Sequence, residues 1–459
     1  MQKQEENLME KIVSLSKRRG FVFQGSEIYG GLAGTWDYGH LGLALKKNIE
    51  QAWWRFFVGS REDMYGIDSA ILMNPKVWEA SGHTTTFNDP LVTDLKTKKR
   101  YRADHLLEGA GINTSGMSVE DLGKTFNEQD IKSPDGNSLS MPQQFNMMFK
   151  TSVGSVEGDD TDVYLRPETA QGMFVNFKNT VDAYHPKLPF GIAQIGRSFR
   201  NEIAPRDFIF RVRELEIMEF EYFIEASLWE EQFEYWRQQF HAWFKLLGFD
   251  TDDIEEEEVP VEGRAHYSKR TMDFHFRYPM GFREIGGLAY RTDFDLKNHI
   301  EHSGVDLSYL DPNTNEKFIP HVLEPTFGLG RHVLAVIAKA YTTDELGGEV
   351  RTYLKFPPHL APIKAAVFPL LKNKPELVSK AREIFTALKK EIPQVVWDDN
   401  GNIGKRYRRQ DEIGTPFCIT IDFDTLADGT VTLRDRDTGE QKRISAGDLA
   451  AAIQEKIKC

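Results

Sequence analysis

Residues 190–223 constrain the fold of this chain more than any other stretch, because two strand-like segments flank a long polar connection. Strand side chains alternate with period two, so alternate residues from Ile192 to Glu202 share one face of the first segment, FGIAQIGRSFRNE. The second segment, RELEIMEFEYF, places on one face Leu215, Ile217, Glu219 and Glu221. The connection IAPRDFIFRV is too long for a tight hairpin. The stretch predicts an antiparallel sheet with a polar face.

Four arginines bracket this connection, namely Arg200, Arg206, Arg211 and Arg213. A guanidinium grips phosphate oxygens through paired hydrogen bonds, and a glutamate beside it can accept from an exocyclic amine. The combination suggests a nucleoside triphosphate lying across the sheet. A half-exposed hairpin with solvated charges would explain a lone arginine-rich segment better. The choice between a nucleotide site and a solvated hairpin therefore depends on the rest of the chain.

Length and composition set the broad class. A chain of 459 residues exceeds one ordinary domain. The net charge of −13 gives no overall attraction to nucleic acid, although a local basic stripe can still bind phosphates. Two cysteines exclude a disulfide framework and a four-cysteine zinc site. The N-terminus lacks a signal-type apolar core, and no apolar run reaches the ~18 residues of a membrane span. We expect a soluble cytoplasmic protein without membrane segments.

The pattern predicts an α+β first domain over residues 1–356 and an α/β domain over 357–459, joined by the proline-rich KFPPHLAP. Polar composition predicts insertions at about 84–160, which includes the acidic tract EGDDTD, and at about 225–280. We interpret the acidic run TDDIEEEE as a solvated loop, and a metal site there as the less favoured alternative. A helix over 41–58 and a strand over 65–73 are predicted near the N-terminus.

Six motifs occur in order along the chain: WDYGHLG, RADHLLE, RPETAQG, FRNEIAPR, RTDFDL and EPTFGLGR. In this order they resemble the dimeric glycyl-tRNA synthetase family of class II aminoacyl-tRNA synthetases. FRNE with RVREL is similar to motif 2 of that class, and EPTFGLGR to motif 3. The resemblance implies an antiparallel-sheet catalytic domain, a C-terminal anticodon-binding domain, a homodimer and ATP-dependent ligation of glycine to tRNA(Gly) through a glycyl-adenylate.

The resemblance also implies roles for the arginines. Arg200 would hold the α-phosphate and neutralise developing charge, and Arg331 would bind the γ-phosphate or stack on the base; these two are the predicted catalytic residues. Glu202 would accept from the adenine amine, and Arg211 and Arg213 would hold pyrophosphate or tRNA. The alternative for each arginine is a surface ion pair worth under ~1 kcal/mol. The implied ATP-binding set is Arg200, Asn201, Glu202, Phe210, Arg211, Val212, Arg213, Glu214, Leu215, Glu284, Ile285, Gly328, Leu329, Gly330 and Arg331.

Three carboxylates from separate segments, Glu168, Glu219 and Glu324, are implied to form a small pocket for an α-ammonium group, which offers three donors and one charge. Arg291 would take the substrate carboxylate, and Thr326 would add a hydroxyl. A pocket without room for a β-carbon rejects larger amino acids by clash, so no editing domain is expected. The implied glycine-binding set is Arg102 (or its neighbour Arg100), Glu168, Leu215, Glu216, Ile217, Met218, Glu219, Arg291, Glu324, Pro325, Thr326, Phe327 and Gly328.

Mg²⁺ should accompany ATP, with Glu284 and Glu324 as its implied ligands. The chain departs from the family pattern at three positions. Leu215 stands where a phenylalanine commonly stacks on adenine, Thr326 replaces a usual serine, and Arg283 replaces a small residue. These changes bear on the adenine contact and not on the reaction class.

Segment 402–414 carries a basic cluster that could contact tRNA phosphates or simply be solvated; its members are Lys405, Arg406, Arg408 and Arg409. The main alternative to an enzyme is a non-catalytic binding subunit of the kind that accompanies mitochondrial DNA polymerase, but such a protein should lose the phosphate arginines or pocket acids. RPETAQG with EPTFGLGR argues against synthetases for threonine, proline or histidine, and no class I signature pair is present.

Overall fold

The predicted strand pair lies near the centre of a seven-stranded sheet with the order β11-β12-β13-β16-β10-β9-β3. Neighbouring strands are antiparallel except β3 and β9, which are parallel. The computed structural model describes residues 2–114, 117–154 and 162–458. Most of the acidic tract EGDDTD therefore lies outside the described residues. The α+β class expected from the sequence is confirmed.

The helices are α1 Gln2–Arg19, α2 His40–Trp54, α3 Lys76–Ala80, α4 His83–Thr86, α5 Ala103–Gly109, α6 Val119–Glu128, α7 Ala170–Val175, α8 Phe177–Tyr184, α9 Trp229–Leu246, α10 Phe294–Ser303, α11 Leu329–Ala340, α12 Pro375–Glu391, α13 Ile403–Glu412, α14 Phe423–Asp428 and α15 Leu449–Ile457. No helix in the described part of the chain is long and apolar enough to cross a membrane.

The strands are β1 Val22–Gln24, β2 Trp36–Tyr38, β3 Met64–Gly66, β4 Asn88–Thr93, β5 Arg100–Arg102, β6 Gln143–Asn146, β7 Phe149–Ser152, β8 Asp162–Leu165, β9 Phe190–Phe199, β10 Glu214–Ile224, β11 Ile254–Glu258, β12 Arg270–Tyr278, β13 Gly281–Thr292, β14 Tyr309–Leu310, β15 Lys317–Phe318, β16 His321–Gly328, β17 Tyr341–Leu346, β18 Glu349–Leu354, β19 Ala365–Pro369, β20 Val395–Trp397, β21 Phe417–Ile421, β22 Thr430–Asp435 and β23 Gln441–Ser445. The helix expected over 41–58 ends as an α-helix at Trp54 and continues as a π-helical turn, and the strand expected over 65–73 is shorter.

The register of β9 with β10 confirms the predicted polar face. Glu219 lies opposite Gln194, and Leu215 lies opposite Ser198, so the alternate residues of both segments point to the same side. The first strand is shorter than expected, because pairing stops at Phe199. Arg200 and Glu202 therefore leave the strand and enter the connection, where strand alternation no longer fixes their directions.

The opposite face of the sheet carries the aromatic core. Phe240 of α9 stacks between Phe274 and Phe327, with ring centroids 4.2 and 4.3 Å away. Trp53 of α2 meets Phe327 edge to face at 5.9 Å. Helix α9 and strands β11 and β12 thus belong to the main core and sheet. The Trp and Phe residues of 225–280 supply core packing, and the interpretation of this segment as an insertion stays a prediction.

The interpretation of the acidic run TDDIEEEE as a solvated loop is wrong for its last five residues, because Ile254–Glu258 forms the edge strand β11. Two of its glutamates pair with arginines: Glu256 lies 2.7 Å from Arg237, and Glu258 lies 3.1 Å from Arg270. Charged side chains on an edge strand discourage pairing with another chain. Because this glutamate-rich segment forms a strand, its pairing with β12 outweighs the low strand preference of glutamate.

Residues 88–146 form a small unit beside the sheet. Strands β5, β4 and β6 pair in that order, and α5 and α6 cover them. The unit has its own cluster of buried side chains, Val92, Ala103, Leu107, Leu122 and Phe126. The expected helical piece is present. The insertion boundaries and the domain boundary near residue 356 remain predictions.

The C-terminal segment folds as the predicted α/β unit, with the sheet order β20-β19-β21-β22-β23 and helices α12, α13 and α15 where the sequence places them. The basic cluster on α13 differs from its prediction. Arg406 is buried and donates to the backbone carbonyls of Asp399 and Gly401, while Arg409 lies 2.8 Å from Asp398. Arg408 pairs with Glu349 at 2.9 Å, which leaves Lys405 as the member best placed for phosphate contact.

Candidate active site

One row of directly opposed residues crosses five strands on the face away from the aromatic core. It runs from Asp273 through Gly287, Thr326 and Glu219 to Gln194. Directly opposed side chains on neighbouring strands point to the same side of a sheet. Gly287, the second residue of the row, leaves space above it, because a Cβ there would meet nothing nearer than 3.4 Å. This row forms the floor of the candidate site.

Glu219 is the buried carboxylate at the centre of the floor. Its Oε1 accepts a hydrogen bond from Thr326 Oγ1 at 2.7 Å, and its Oε2 accepts one from Thr169 Oγ1. Burial, and then the charge of Glu168, raise the pKa of Glu219. The carboxylate is therefore held in one orientation by two hydroxyls but has no cation of its own among the described ion pairs.

Glu168 precedes helix α7 and closes one side of the pocket. His83 Nε2 lies 3.2 Å from its Oε2, and Gln171 donates to its Oε1 at 3.0 Å. Although burial opposes ionisation, His83 beside the carboxyl lowers the pKa of Glu168. Glu168 and Glu219 thus stand in one pocket with their pKa values shifted in opposite directions.

Arg291 is fully buried and is already engaged by two carboxylates. It donates to both oxygens of Asp295 at 2.7 and 2.8 Å and to Glu324 Oε1 at 2.7 Å. Its guanidinium lies 3.6 Å from the Tyr267 ring centroid. Burial alone would lower the pKa of Arg291, but Asp295 and Glu324 raise it well above its usual value. The predicted grip on a substrate carboxylate is thus not favoured by this geometry, which suits Arg291 to orienting Glu324.

A cleft opens beside the pocket, beyond the end of β16. Arg331, the third residue of α11, lies over the Phe210 ring at 4.5 Å and pairs with Glu284 Oε2 at 3.0 Å. Arg200 donates through Nε to the Pro167 carbonyl at 3.1 Å. Within the described residues, its two Nη atoms have no hydrogen-bond partner. They are therefore available to an anion.

A local cluster of cations surrounds Arg211 in the same cleft. Burial lowers the pKa of Arg211, and the charges of Arg206, Arg102 and Arg331 lower it further, against the opposing effect of Glu202. Like charges converge in this way where a polyanion is to be bound. Arg206 and Arg211 exchange backbone hydrogen bonds at 3.2 Å.

Most of the predicted nucleotide residues do line the cleft, namely Arg200, Glu202, Phe210, Arg211, Val212, Glu214, Leu215, Glu284, Gly328, Gly330 and Arg331. The others lie elsewhere. Ile285 and Leu329 are buried in the core, and Asn201 follows Arg200 outside the cleft lining. Arg213 donates to the carbonyls of Glu202 and Ala33, so it stabilises the loop rather than facing an anion.

A β-bulge explains the different fates of Glu284 and Ile285. His275 pairs with Glu284, whereas the preceding Phe274 pairs with Gly286, so Ile285 is the extra residue. A bulge inserts one residue and re-aims its neighbours. Ile285 therefore enters the core while Glu284 reaches the cleft. Sequence alternation alone could not place this shift.

The predicted glycine set divides between the two faces of the sheet. Glu168, Glu219, Arg291, Glu324 and Thr326 form the pocket, whereas Met218 and Phe327 enter the aromatic core because they occupy the alternate positions. Leu215, Glu216 and Gly328 line the neighbouring cleft, and Glu216 is an ion-pair partner of Lys46. Ile217 and Pro325 are buried on these same strands.

Arg102 lies in the unit formed by residues 88–146. It pairs with Asp89 at 2.9 Å and with Asp104 at 2.5 Å. The charge of Arg102 helps to lower the pKa of Arg211, but Arg102 is not among the residues that line the cleft. Arg100 is exposed on the same strand, and Arg283 is exposed at the start of β13.

The two implied metal ligands do not meet. Glu324 lies opposite Ala289, which is roughly 15 Å along β13 from Glu284 at about 3.3 Å per residue. Glu284 is held by Arg331, and Glu324 by Arg291. One ion cannot be shared by this pair, so that part of the prediction is wrong. Glu284 alone remains a half-exposed carboxylate in the cleft.

Several residues of the site were not predicted. Asp295 sits in the RTDFDL motif, Trp36 and Tyr38 sit in WDYGHLG, and only their place in those motifs signalled them. Tyr267 comes from a segment without any motif and reaches Arg291 by tertiary packing. Glu221 was recognised as a face residue but not as part of the acidic cluster.

Comparisons with known proteins agree with this geometry. Residues 149–340 match the family described as tRNA synthetase class II core domain (G, H, P, S and T), and residues 364–456 match the anticodon binding domain. The chain is 48% identical to the glycine–tRNA ligase of Bacillus thuringiensis subsp. konkukian, with 98% of this chain and 99% of the relative covered. It is 50% identical to that of Geobacillus thermodenitrificans, with 98% and 97% covered. The chain therefore belongs to the glycine–tRNA ligase family of class II tRNA synthetases.

Proposed function

We propose that this protein ligates glycine to tRNA(Gly) for protein synthesis, in two steps and with ATP as the activating substrate. The observation that carries the proposal is the position of two residues on β16. Thr326 is bonded to Glu219 in the acidic pocket, and Gly328, two residues later, lines the arginine cleft. Two strand residues span about 7 Å, so an amino acid in the pocket and a triphosphate in the cleft would meet.

The acidic pocket suits the ammonium group of glycine. Glu168, Glu219 and Glu324 present carboxylate oxygens from three segments, and an ammonium group offers three donors. Because Glu219 has hydroxyl partners but no paired cation, a bound ammonium would supply the missing positive charge. The carboxylate of the amino acid is then left to point toward the cleft.

The cleft suits ATP. Arg200 would bind the α-phosphate through its two available Nη atoms and stabilise the charge that develops there. Arg331 and Arg211 would bind the outer phosphates, while Phe210 and Leu215 would pack against the adenine. Phe210 thereby supplies the cleft with an aromatic ring, which Leu215 lacks.

The first step would be an in-line displacement. An oxygen of the glycine carboxylate attacks the α-phosphorus, the bond from that phosphorus to the bridging oxygen breaks, and pyrophosphate leaves. In the second step a terminal ribose hydroxyl of tRNA attacks the adenylate carbonyl, loses its proton and displaces AMP. The residues position the reactants and stabilise charge without forming a covalent intermediate of their own.

Selection of glycine would follow from crowding. The floor carries no side chain at Gly287. The space above this glycine is surrounded by Thr326, Glu219 and Tyr267. A site that leaves no room for a β-carbon rejects larger amino acids by clash, whereas a large pocket loses only about 1–3 kcal/mol for a missing methylene. This supports selection without a separate editing site.

Mg²⁺ is proposed to accompany ATP. Glu284 is one of the carboxylates that line the cleft, and it fits this ion, since Mg²⁺ in nucleotide sites is bound by one or two carboxylates together with substrate phosphates. When bound, the ion would offset charge on the leaving pyrophosphate. Arg331 beside Glu284 lowers the pKa of that carboxyl, which keeps it ionised at neutral pH.

We further propose a cytoplasmic homodimer whose C-terminal domain contacts the tRNA anticodon. These proposals rest on family membership and on the matched anticodon-binding domain. The non-catalytic alternative gains no support, because the cleft arginines and the pocket acids are all in place. The test is charging of tRNA(Gly) transcript with each of the twenty amino acids. Attachment of glycine alone is expected, and binding of tRNA without attachment of any amino acid would overturn the proposal.

A further inference from the structure

Glu221 is an acidic side chain beneath the ammonium pocket to which no role has yet been given. It lies on β10 two residues after Glu219 and is fully buried. One carboxyl oxygen each from Glu219, Glu221 and Glu324 lie within 4.8 Å of one another. In the part of the chain that the structure describes, neither oxygen of Glu221 has a hydrogen-bond partner.

An ionised carboxylate in this position would be costly. Burial of a charge without a donor or counter-ion costs several kcal/mol, and the group usually takes up a proton instead. A protonated carboxyl carries its own donor and needs only an acceptor. The neighbouring carboxylates supply acceptors and no donors, so the surroundings fit the neutral acid.

The charged groups that face Glu221 lie on the neighbouring elements. Glu324 on β16 and Glu219 beside it on β10 are acidic, as is Asp295 on α10. Arg291 on β13 is the cation, but its bonds go to Asp295 and Glu324. Burial, and then the charge of Glu324, raise the pKa of Glu221 well above its usual value, and burial also raises the pKa of Glu324 against the opposing charge of Arg291. Arg291 donates to Glu324 and no group donates to Glu221, so this geometry places the proton of the pair on Glu221.

The free acceptor beside Glu221 belongs to Glu324. Both oxygens of Glu219 are occupied, one by Thr326 and one by Thr169. Glu324 uses Oε1 for Arg291, whereas its Oε2 has no donor among the described hydrogen bonds. A proton on Glu221 therefore has one open acceptor in an acid cluster whose oxygens lie within 4.8 Å of one another, and a hydrogen bond to it would fix the second side of the Glu324 carboxylate.

We infer that Glu221 stays protonated at neutral pH and donates a hydrogen bond to Glu324, which holds Glu324 ionised and oriented for the ammonium group of glycine. This inference rests on the proposed function. Glu221 is a positioning residue that acts through Glu324. A divalent cation in the acid cluster is the competing reading, and it requires Glu221 to be ionised, because carboxylates ligate metals in that form.

Two substitutions separate these readings. Glu221→Gln keeps the shape, a donor and the absence of charge, so the KM for glycine and its pH profile should stay close to wild type. Glu221→Leu removes the donor, so the KM for glycine should rise roughly tenfold, as for loss of a hydrogen bond to a charged group. The acid limb of kcat/KM for glycine should also move to higher pH in Glu221→Leu, since Glu324 loses a bond that favours its ionised form. The KM for ATP should not change.

Each contrary result is informative. If Glu221→Gln raises the KM for glycine as much as Glu221→Leu does, Glu221 acts as an anion and the inference is wrong. If neither substitution changes the KM or the pH profile, Glu221 positions nothing. The melting temperature of each variant serves as the folding control.

An infrared difference spectrum gives a readout that needs neither substrate nor activity. Wild type minus Glu221→Gln at pH 7 should show the C=O stretching band of a buried protonated carboxyl, even if Glu221→Leu does not fold. Absence of that band overturns the inference. A wild-type protein that shows the band but no glycine-dependent activity would instead refute the proposed function, so the two failures are distinguishable.

Discussion

Thr326 donates a hydrogen bond to Glu219 from the neighbouring strand, with 2.7 Å between Oγ1 and Oε1. The two residues are directly opposed in the β10–β16 pair, so their side chains rise from the same point of the sheet floor. A second hydroxyl, from Thr169, holds the other oxygen of Glu219. The most buried of the three pocket acids is thus oriented by neutral donors, and none of the described ion pairs uses it.

Thr326→Val should raise the KM for glycine roughly tenfold, because it removes a hydrogen bond to a charged group while keeping the volume. Thr326→Ser keeps the hydroxyl and loses only a methyl group, so it should remain near wild type. Steady-state kinetics with varied glycine would check both. Equal KM values for the two variants would show that the hydroxyl does not orient the pocket.

Glu219→Gln should weaken glycine binding while leaving ATP binding intact, because the pocket loses a charge that faces the ammonium group. We expect at least a tenfold rise in the KM for glycine, the effect typical of a lost charge-assisted contact. Glu225→Gln, at the exposed position just after the same strand, is the matched control and should not change the KM for glycine. An unchanged KM for glycine in Glu219→Gln would contradict the ammonium pocket.

Arg200→Ala should lower the rate of adenylate formation by about 10²–10³-fold, the usual effect of removing a group that stabilises developing charge. Arg197→Ala is its control, since Arg197 lies on β9 with an exposed side chain paired to Glu214. Single-turnover formation of glycyl-adenylate would measure both variants. Near-normal formation in Arg200→Ala would remove Arg200 from the catalytic residues.

His332 should make the protein less stable as the pH falls. It is buried, accepts from Trp243 Nε1 at 3.2 Å and donates to the Gly328 carbonyl at 2.8 Å. Burial lowers the pKa of His332 from 6.5 to about 4. The unfolded chain therefore binds more protons between pH 6.5 and 4, and stability is lost across that window by up to about 3 kcal/mol.

The check is the free energy of unfolding in urea at several pH values, for wild type and His332→Gln. The wild type should lose more stability than the variant between pH 6.5 and 4. Parallel pH dependence in the two proteins would mean that His332 does not titrate in this window. The comparison cancels the contribution of the other acids that titrate there.

Phe240→Ala should destabilise the catalytic half by about 3–5 kcal/mol, the range for emptying a buried phenylalanine site. Its ring stacks on both Phe274 and Phe327, so the loss would loosen the sheet beneath the site. Phe423→Ala, at a half-exposed ring, should cost far less. Urea unfolding of both variants measures the difference, and similar losses would argue against α9 as part of the main core.

The sequence predicts the central strand pair well, because its alternation is regular and one face carries the acids. Leu215, Ile217 and Glu219 lie opposite Ser198, Gly196 and Gln194, so the two predicted faces meet on the same side of the sheet. Regular alternation fails at Ile285, where a bulge changes the face of the sheet on which the side chain lies. Local pattern cannot reveal a bulge that depends on the partner strand.

The sequence also identifies the pocket acids and the cleft arginines through motif resemblance, but it does not show how their charges are paired. Arg291 is predicted to bind substrate, and the sequence does not show that it also pairs with Asp295 and Glu324, because that pairing depends on tertiary contacts. Arg213 was expected to bind an anion and instead holds backbone carbonyls. A guanidinium looks the same in sequence whether its donors are free or used.

The most direct measurement of the central claim is amino-acid-dependent ATP–pyrophosphate exchange by the purified protein, with Mg²⁺ and without tRNA, for all twenty amino acids. Exchange with glycine alone is the predicted result, since it requires the ammonium pocket, the nucleotide cleft and the size limit together. Exchange with a larger amino acid, or with none by a folded protein that also stays inactive when tRNA is added, would contradict the account.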